Sequence, residues 1–314
     1  MKSTGSISNR LKTVGLIICI SLGLSAIASP IEGRWDMTVD FEGMNLPSWL
    51  EVRHSGSKRL IGEFVGFGGS ARPVSKVVFE NDVMRFTVPP QWEPEDRDFE
   101  FEGTLKGDVL VGTMVASNGK TYKWTARRAP SLVRDKQPEW DQPITLFDGK
   151  SLNGWHPTRG TNQWVAENGI LSNKKSGANL ITDQSFGDFK LHIEFRYPAE
   201  SNSGVYLRGR YEVQVIDCFG QEPQKDLLGA VYGFIKPNEN VARKPGEWQS
   251  YDITLIGRRV SIVANGKQIV CDAEIPGITG GALDSNEGTH GPFMLQGDHG
   301  AVEYRNIVVT PAKK

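Results

Sequence analysis

One stretch of the chain, Ser201 to Gly220, carries polar side chains at regular intervals along two predicted strands. Successive side chains of a strand point to opposite faces of a sheet, so alternate residues share a face. One face then presents an aromatic ring, a guanidinium, a carboxylate and an amide, namely Tyr206, Arg208, Glu212 and Gln214. Such planar groups match pairs of hydroxyls, and an aromatic ring stacks on a pyranose, so this face could hold a sugar. A solvated outer face with a surface ion pair would show the same pattern.

The other face of the same two strands is apolar and predicts a core contact. It carries Val205, Leu207, Val213 and Val215, and Gly209 separates the two strands. Asp217 follows the second strand directly and is a further polar candidate. The stretch therefore predicts a hairpin with one buried face and one polar face.

The N-terminus has the pattern of a secretory signal peptide. Three basic residues precede an uncharged apolar run, and small residues flank a cleavage point after Ala28. We expect residues 1–28 to be removed, which predicts a periplasmic or secreted protein without stable membrane insertion. An uncleaved anchor is the alternative, but Pro30 and the shortness of the run argue against it.

Charge and cysteine content limit the partners and the redox chemistry. Removal of residues 1–28 leaves 33 basic and 37 acidic side chains, a net charge of −4, and no basic run predicts nucleic-acid binding. Two cysteines remain, Cys218 and Cys271. They could pair in an oxidising compartment, but both positions suit a small buried residue, so we expect two free, buried thiols.

Both halves of the remaining chain predict strands. Residues 29–128 show short strands separated by turn signals, typical of a small lipocalin-like antiparallel barrel or half-barrel with an accessory role. Residues 129–143 contain three prolines and form a linker. Residues 144–314 predict about a dozen strands, which suits a jelly roll of the concanavalin or legume-lectin kind. The fold class is all-β.

Several separated blocks of the second half are similar to one known family. They are LFDGKSLNGW, WVAENGIL, SNSGVYLRGRYEVQVID, GAVYG, PGEWQSYDI, NGK and GPFMLQGDHGAVEYRNI, in this order. Over about residues 139–312 the chain resembles the 3-keto-disaccharide hydrolase domain family, once a domain of unknown function. The resemblance implies a jelly roll that cleaves glycosides whose sugar carries a ketone at C3.

A C3 ketone acidifies the proton on C2, so such a bond can break by elimination followed by hydration. The site then needs a base, a group that stabilises the enolate and an acid for the leaving group. The resemblance makes Glu212 the candidate base, His299 the proton carrier and Asp217 a further polar catalytic candidate. Glu212 and His299 together would also offer the oxygen and nitrogen ligands that one divalent metal ion, of unknown identity, accepts.

Substrate contacts are expected from the remaining polar and aromatic candidates. Arg208 would hold the keto or enolate oxygen, and Gln214 a sugar hydroxyl. The other substrate-binding candidates are Tyr206, Tyr232, Trp248 and Gln296. The chain contains no nucleotide-binding fingerprint, so no nucleotide cofactor is expected.

Two alternative functions remain open from the sequence. A non-catalytic carbohydrate-binding or adhesion module would need the aromatic contacts but not Glu212 or His299. A conventional glycoside hydrolase would need a second carboxylate about 5–9.5 Å from Glu212. Asp217 and Asp298 are the candidates for that second carboxylate. The aglycone, the anomer and the oligomeric state are not determined.

Overall fold

The computed structural model describes residues 28–313, and within this range it contains strands and turns but no α-helix. The predicted all-β class is therefore confirmed. The predicted signal peptide lies outside the described residues apart from its last position, Ala28. Across the described range, no helix is long and apolar enough to cross a membrane.

The first half forms a closed antiparallel barrel, called the barrel below. Each strand pairs with the next, and the first also pairs with the eighth, so no edge is left open. The predicted barrel is confirmed, and the half-barrel alternative is wrong. The strands are β1 (Gly33–Phe41), β2 (Met44–Ser55), β3 (Arg59–Val65), β4 (Arg72–Glu80), β5 (Val83–Val88), β6 (Phe99–Lys106), β7 (Val109–Val115) and β8 (Thr121–Arg128).

The second half forms two sheets, called the two-sheet unit below. Its strands are β9 (Ile144–Thr145), β10 (Trp155–Pro157), β11 (Trp164–Glu167), β12 (Ile170–Asn173), β13 (Leu180–Thr182), β14 (Phe189–Arg196), β15 (Asn202–Leu207), β16 (Tyr211–Ile216), β17 (Gln249–Ile256), β18 (Arg259–Ala264), β19 (Lys267–Glu274), β20 (Met294–Leu295) and β21 (Val302–Pro311). One sheet has the order β10-β13-β20-β15-β16, and the other has β11-β12-β21-β14-β17-β18-β19, with β9 added beside β21.

Short Asn-Gly turns set the register of two hairpins in the larger sheet. Asn168-Gly169 joins β11 to β12, and Asn265-Gly266 joins β18 to β19. All four of these residues have positive φ, from 50° to 81°. A two-residue loop with both φ values positive matches the twist of the flanking strands, which explains the Asn-Gly preference.

The barrel packs closely against the two-sheet unit. Trp49 and Val65, both on barrel strands, belong to the hydrophobic core of the two-sheet unit. Trp49 meets Phe234 edge to face at 5.5 Å. A Cβ on Gly277 would lie 2.2 Å from Nε1 of Trp49, so only glycine allows this approach. The barrel and the two-sheet unit therefore share part of one hydrophobic core.

Candidate functional site

The β15–β16 hairpin supplies the polar face that the sequence pattern predicts. Tyr206 pairs with Glu212, and Gly204 pairs with Gln214, across the two antiparallel strands. Side chains of directly paired residues lie on the same face of a sheet. Tyr206, Glu212 and Gln214 consequently line one common cleft.

This Glu212 cleft, of about 550 Å³, lies between the smaller sheet and a barrel loop. Four more of its lining side chains come from loops of the two-sheet unit or from the end of β20, and two aromatic rings come from the barrel. They are Tyr232, Gln296, Asp298 and His299, and Phe67 and Trp92. The volume falls in the range of about 300–1,000 Å³ typical of small-molecule sites.

Glu212 lies buried on the floor of this cleft, and its neighbours hold the carboxyl group in one position. Gly204 leaves the space that it needs, because a Cβ there would lie 2.3 Å from Oε1 of Glu212. The hydroxyl of Tyr206 lies 2.9 Å from Oε2. Burial raises the pKa of Glu212 to about 8, while the Tyr206 hydrogen bond and the nearby His299 act in the opposite direction. A carboxyl group tuned in this way can exchange a proton near neutral pH.

His299 is at the mouth of the cleft, where half of its side chain is exposed. Its Nδ1 lies 2.6 Å from Oδ1 of Asp298. That hydrogen bond raises the pKa of His299, and the charges of Asp298 and Glu212 add to the effect. Asp298 thus stabilises the imidazolium form relative to a free histidine, and Nε2 is left to face a ligand.

Three amide side chains in the cleft carry buried oxygens that find no hydrogen-bond donor in the described protein. They are Asn202, Gln214 and Gln296. A buried polar atom without a partner costs about 1–3 kcal/mol, so such atoms usually mark the place of a ligand or water. Three acceptors in one cleft suit a ligand rich in hydroxyl groups.

The presence of buried polar atoms without a hydrogen-bond partner distinguishes this cleft from larger cavities. Two cavities of about 780 Å³ lie elsewhere, one beside Arg258 and one beside His290. Among the described residues that line those two cavities, none has a buried side-chain polar atom without a partner. Size alone would choose them, but the unsatisfied acceptors favour the Glu212 cleft.

Six of the predicted site residues meet in this cleft. They are Tyr206, Glu212, Gln214, Tyr232, Gln296 and His299. Three others, Arg208, Asp217 and Trp248, are not among the residues that line it.

Arg208 does not line the cleft, so this geometry gives no support to its predicted contact with a keto or enolate oxygen. It lies in the turn after β15 with φ of 53°, which breaks the alternation of the strand. Its buried guanidinium donates to the Gly257 carbonyl at 2.6 Å and to the Tyr211 hydroxyl at 3.2 Å. Arg208 therefore joins the turn to the loop after β17.

Trp248 also lies outside the cleft, so this geometry gives no support to its predicted role in sugar stacking. Its ring contacts the guanidinium groups of Arg196 and Arg305, at 4.7 and 3.9 Å from the ring centroid. Both arginines belong to the larger sheet, on β14 and β21. The indole thus takes part in a cation–π cluster on that sheet.

Asp217 has a structural contact at the end of β16. Its Oδ2 accepts a hydrogen bond of 3.0 Å from the backbone N–H of Glu200, and its own N–H donates to the Ser201 carbonyl. This position joins the start of β15 to the end of β16. The predicted catalytic contribution of Asp217 finds no support in this geometry.

The cysteines do not form a disulfide in the described chain. Cys218 and Cys271 are both free, as expected, but only Cys218 is buried. Cys271 lies on β19 with its side chain exposed, so the prediction of a second buried thiol is wrong.

The predicted metal pair gains no further ligands. Over residues 28–313, no group of three or more His, Cys, Asp or Glu side chains is arranged to hold an ion. Oε2 of Glu212 is already hydrogen-bonded to Tyr206, and Nδ1 of His299 to Asp298. These residues do not fit a metal site as they stand, and no step below depends on one.

The sequence interpretation missed several residues of the cleft. Asn202 shares the face of Tyr206 by the same alternation, so the pattern of β15 could have identified it. Phe67 and Trp92 belong to the other half of the chain, and no local pattern connects them with β16. Only their packing against the two-sheet unit reveals that they border the cleft.

The fold and the cleft together describe an all-β protein in which a barrel adjoins two sheets, with a buried carboxyl group in a cleft lined by unpaired amide oxygens. The family described as the 3-keto-alpha-glucoside-1,2-lyase-like domain matches residues 142–310, which is more than half of the chain. The chain belongs to this family. The predicted recognition is thereby confirmed, and the match leaves the barrel outside.

Individual relatives share between 19% and 32% sequence identity with this chain. A 3-keto-disaccharide hydrolase of Bacteroides thetaiotaomicron is 27% identical over 142 residues, which are 41% of this chain and 46% of that protein. The match thus spans less than half the length of this curated relative. Two solved structures of provisionally assigned glycosyl hydrolases from Parabacteroides distasonis also match. The first is 32% identical, covering 53% of this chain and 82% of that one at a TM-score of 0.47. The second is 19% identical, covering 55% and 94% at 0.47.

Proposed function

We propose that the Glu212 cleft binds a 3-keto-glycoside, such as a 3-keto-disaccharide, and that the protein cleaves its glycosidic bond by elimination followed by hydration. The observation that carries this proposal is the position of Glu212, a buried carboxyl group with a raised pKa, beside three unsatisfied amide oxygens. Family membership and the relative named as a 3-keto-disaccharide hydrolase support the substrate class.

The amide oxygens of Asn202, Gln214 and Gln296 accept hydrogen bonds from hydroxyls of the keto-sugar. These contacts replace the missing partners, so binding recovers the free energy that the free protein loses there. Tyr232, half-buried at the cleft, contributes an aromatic face for the ring. The sugar is thereby oriented with C2 towards Glu212.

The elimination step uses Glu212 as the base and His299 as the acid. The ionised carboxylate removes the proton from C2, and the electron pair of the C2–H bond forms the C1–C2 double bond. The bond from C1 to the leaving oxygen breaks, and that oxygen takes a proton from the imidazolium of His299. Water then adds to C1 and gives one proton to the neutral His299, while Glu212 returns a proton to C2, which releases the free keto-sugar and restores both groups.

The pKa values suit these two roles. With a pKa of about 8, Glu212 is a stronger base than an ordinary carboxylate, although only about a tenth of it is ionised at pH 7. Asp298 favours the protonated imidazole of His299, which is the form that an acid needs. A conventional glycosidase would use Asp298 as a second catalytic carboxylate, but here it is hydrogen-bonded to His299.

The direct test compares two substrates that differ only at C3. Purified protein should release the leaving group from a 3-keto-glucoside and leave the unoxidised glucoside intact. In D₂O, proton NMR should show deuterium at C2 of the product. Cleavage of the unoxidised glucoside alone, or of neither substrate, would contradict the proposal.

The Glu212→Gln variant separates catalysis from binding. It keeps the shape of the side chain but removes the base, so turnover should fall by about 10²–10⁴-fold. Affinity for the keto-glucoside, measured by calorimetry, should stay within a few-fold. A non-catalytic carbohydrate-binding module is the second candidate, because the three amide oxygens alone would support binding. In that case the wild type would bind the sugar without turnover.

The remaining features of the proposal concern organisation and location. We assign residues 29–128 to an accessory domain, 129–143 to a linker and 144–314 to the catalytic domain, with the two sheets as a concanavalin-like jelly roll. The pattern at the N-terminus supports export to the periplasm or the medium. Cell fractionation with an antibody against the protein tests this location.

A further inference from the structure

Two exposed aromatic rings of the barrel border the Glu212 cleft. Phe67 follows β3, and Trp92 lies in the loop between β5 and β6. They are 43% and 53% exposed, whereas most large apolar side chains of the described chain are buried. Exposed aromatic rings in a polar cleft mark a place where a ligand can cover them.

The two rings pack edge to face, with centroids 5.8 Å apart and an interplanar angle of 89°. In this arrangement each ring keeps a face that the other does not cover. Phe41 supports Phe67 from the barrel side at 6.0 Å. The rings, called the aromatic wall below, thus present apolar faces towards the cleft.

Backbone contacts hold the loop after β3 against the two-sheet unit. The N–H of Gly281 donates to the Phe67 carbonyl at 2.8 Å. A Cβ on Gly280 would lie 2.1 Å from the carbonyl oxygen of Gly69, and one on Gly233 would lie 2.8 Å from Cβ of Ser70. These approaches are closer than any side chain allows, so Phe67 has a defined position beside the cleft.

The loop that carries Trp92 is fixed to the loop after β3. The side-chain oxygen of Gln91 accepts a hydrogen bond from the Ser70 N–H at 3.0 Å. Arg72, buried between the loops, donates to the Pro89 carbonyl at 3.0 Å and lies 3.5 Å from the carboxylate of Glu93. A preorganised wall loses little conformational entropy when a ligand binds.

The chemistry on the two sides of the cleft differs. The sheet side offers Glu212 and the three unsatisfied amide oxygens, which suit the hydroxyl-rich keto-sugar. The barrel side offers two apolar ring faces, which suit a flat ring but supply no group for proton transfer. A cleft of about 550 Å³ has room for more than one hexose ring.

We infer that the aromatic wall is the subsite for the leaving group of the substrate, and that it binds a second ring by stacking. This inference rests on the proposed function. The second ring is either a pyranose, as in a 3-keto-disaccharide, or an aryl aglycone, because both have a flat apolar face. The barrel then sets the preference for substrates that carry such a ring.

The test measures kcat/KM for three 3-keto-glucosides whose leaving groups are methanol, a second glucose and a phenol. Trp92→Ala should lower kcat/KM for at least one of the two ring-bearing substrates by about 2- to 13-fold, from a stacking energy of about 0.5–1.5 kcal/mol. The methyl substrate should change by less than twofold. Whichever ring-bearing substrate responds identifies the kind of leaving group.

Two controls accompany this measurement. Phe219→Ala removes another exposed aromatic ring, 50% exposed and outside the cleft, and should leave all three substrates unchanged. Trp92→Phe keeps an aromatic face and should recover most of the loss. Equal losses for all three substrates in Trp92→Ala, or no loss for any, would overturn the inference.

The subsite can be tested by binding alone if the protein proves to have no catalytic activity. If the wild type cleaves none of the three compounds, calorimetry gives their dissociation constants for wild type and Trp92→Ala. Tighter binding of a ring-bearing compound, lost in the variant, would support the subsite without catalysis. Equal binding of all three compounds by both proteins, or no binding at all, would overturn it.

Discussion

The hydroxyl oxygen of Tyr206 lies 2.9 Å from Oε2 of Glu212 and equally 2.9 Å from the carbonyl oxygen of Gly280. A phenol has one proton, and a carbonyl can only accept. When Tyr206 donates to Gly280, its contact with Glu212 needs a protonated carboxyl group as the donor. When Glu212 ionises, the phenol proton can turn to the carboxylate instead. Tyr206 therefore has a hydrogen bond for each charge state of Glu212.

This relationship predicts the pH dependence of the reaction. Because Glu212 must be ionised and His299 must be protonated, kcat/KM should rise with pH as Glu212 ionises, with its pKa of about 8, and should fall again where His299 loses its proton. The measurement is a pH–rate profile on a 3-keto-glucoside. A rate that does not rise with pH on the acid side of pH 8 would contradict the role of Glu212 as the ionised base.

Tyr206→Phe should move that profile to higher pH. The hydroxyl stabilises the ionised carboxylate, so its removal raises the pKa of Glu212 further. At pH 7 the variant should be less active than the wild type, and the ratio of its activity to that of the wild type should increase at pH 9. A profile with an unchanged midpoint would show that the hydroxyl does not tune Glu212.

Gly204→Ala should displace the catalytic carboxyl group without breaking the strand. The φ of Gly204 is not positive, so alanine suits the backbone, but its Cβ would lie 2.3 Å from Oε1 of Glu212. A displacement of about 1 Å can cost roughly 10²-fold in rate. We expect kcat to fall by about that factor while circular dichroism stays the same.

Gly288→Ala is the matched control for this substitution. The nearest atom to its new Cβ would be Cγ of Pro130 at 3.3 Å, and Gly288 does not line the cleft. Its kcat should equal that of the wild type. Full activity in Gly204→Ala would contradict the assigned position of Glu212.

Tyr232 and Trp248 should respond differently to alanine substitution. Tyr232 lines the cleft, so Tyr232→Ala should raise KM by about 2- to 13-fold, from the loss of about 0.5–1.5 kcal/mol of stacking. Trp248 lies between Arg196 and Arg305 on the larger sheet, so Trp248→Ala should leave KM unchanged. Its effect should appear as a lower midpoint of thermal unfolding. The opposite result for either residue would place the binding surface elsewhere.

Asp36, Glu287 and Arg258 form a buried charge cluster between the barrel and the two-sheet unit. Replacing either acid by its amide should therefore change the free energy of unfolding by different amounts. Glu287 accepts hydrogen bonds from Arg258 at 2.7 Å and from the Tyr211 hydroxyl at 2.6 Å. Burial and the charge of Glu287 raise the pKa of Asp36, on β1, to about 9. At pH 7 this pair of carboxyl groups therefore carries one proton, on Asp36.

Asp36→Asn replaces a neutral group with a neutral group of the same shape and should change the free energy of unfolding by less than about 1 kcal/mol at pH 7. Glu287→Gln leaves Arg258 buried without its partner and should cost about 3–5 kcal/mol. Urea unfolding at pH 7 measures both. Equal losses in the two variants would contradict the assigned charge states.

The same pair predicts how stability changes with pH. The folded protein keeps the Asp36 proton up to about pH 9, whereas the unfolded chain releases it near 3.8. Asp36 therefore makes the free energy of unfolding decrease as the pH rises through this interval. Asp36→Asn should make the dependence flatter, and a steeper dependence would reverse the assignment.

The sequence alone determined the local part of this molecule. Strand alternation placed Tyr206, Glu212 and Gln214 on one face, because side-chain direction depends only on position within a strand. Asn-Gly pairs located two hairpins, because two positive φ values are accessible there at low cost. The similar blocks of sequence indicated the family.

Only the tertiary structure decided which of these faces meet. Strand alternation predicts Arg208 on the same face as Glu212. In the structure Arg208 itself has a left-handed backbone conformation, and its side chain bonds to Gly257 instead. Trp248 lies on the larger sheet, away from the cleft, and no local pattern distinguishes the two sheets. The pKa of Glu212 depends on burial and on the charge of His299, 87 positions away, and Phe67 of the aromatic wall is held by Gly281, 214 positions away. Such contacts depend on how whole strands and loops pack together. The alternation of residues within one strand carries no information about that packing.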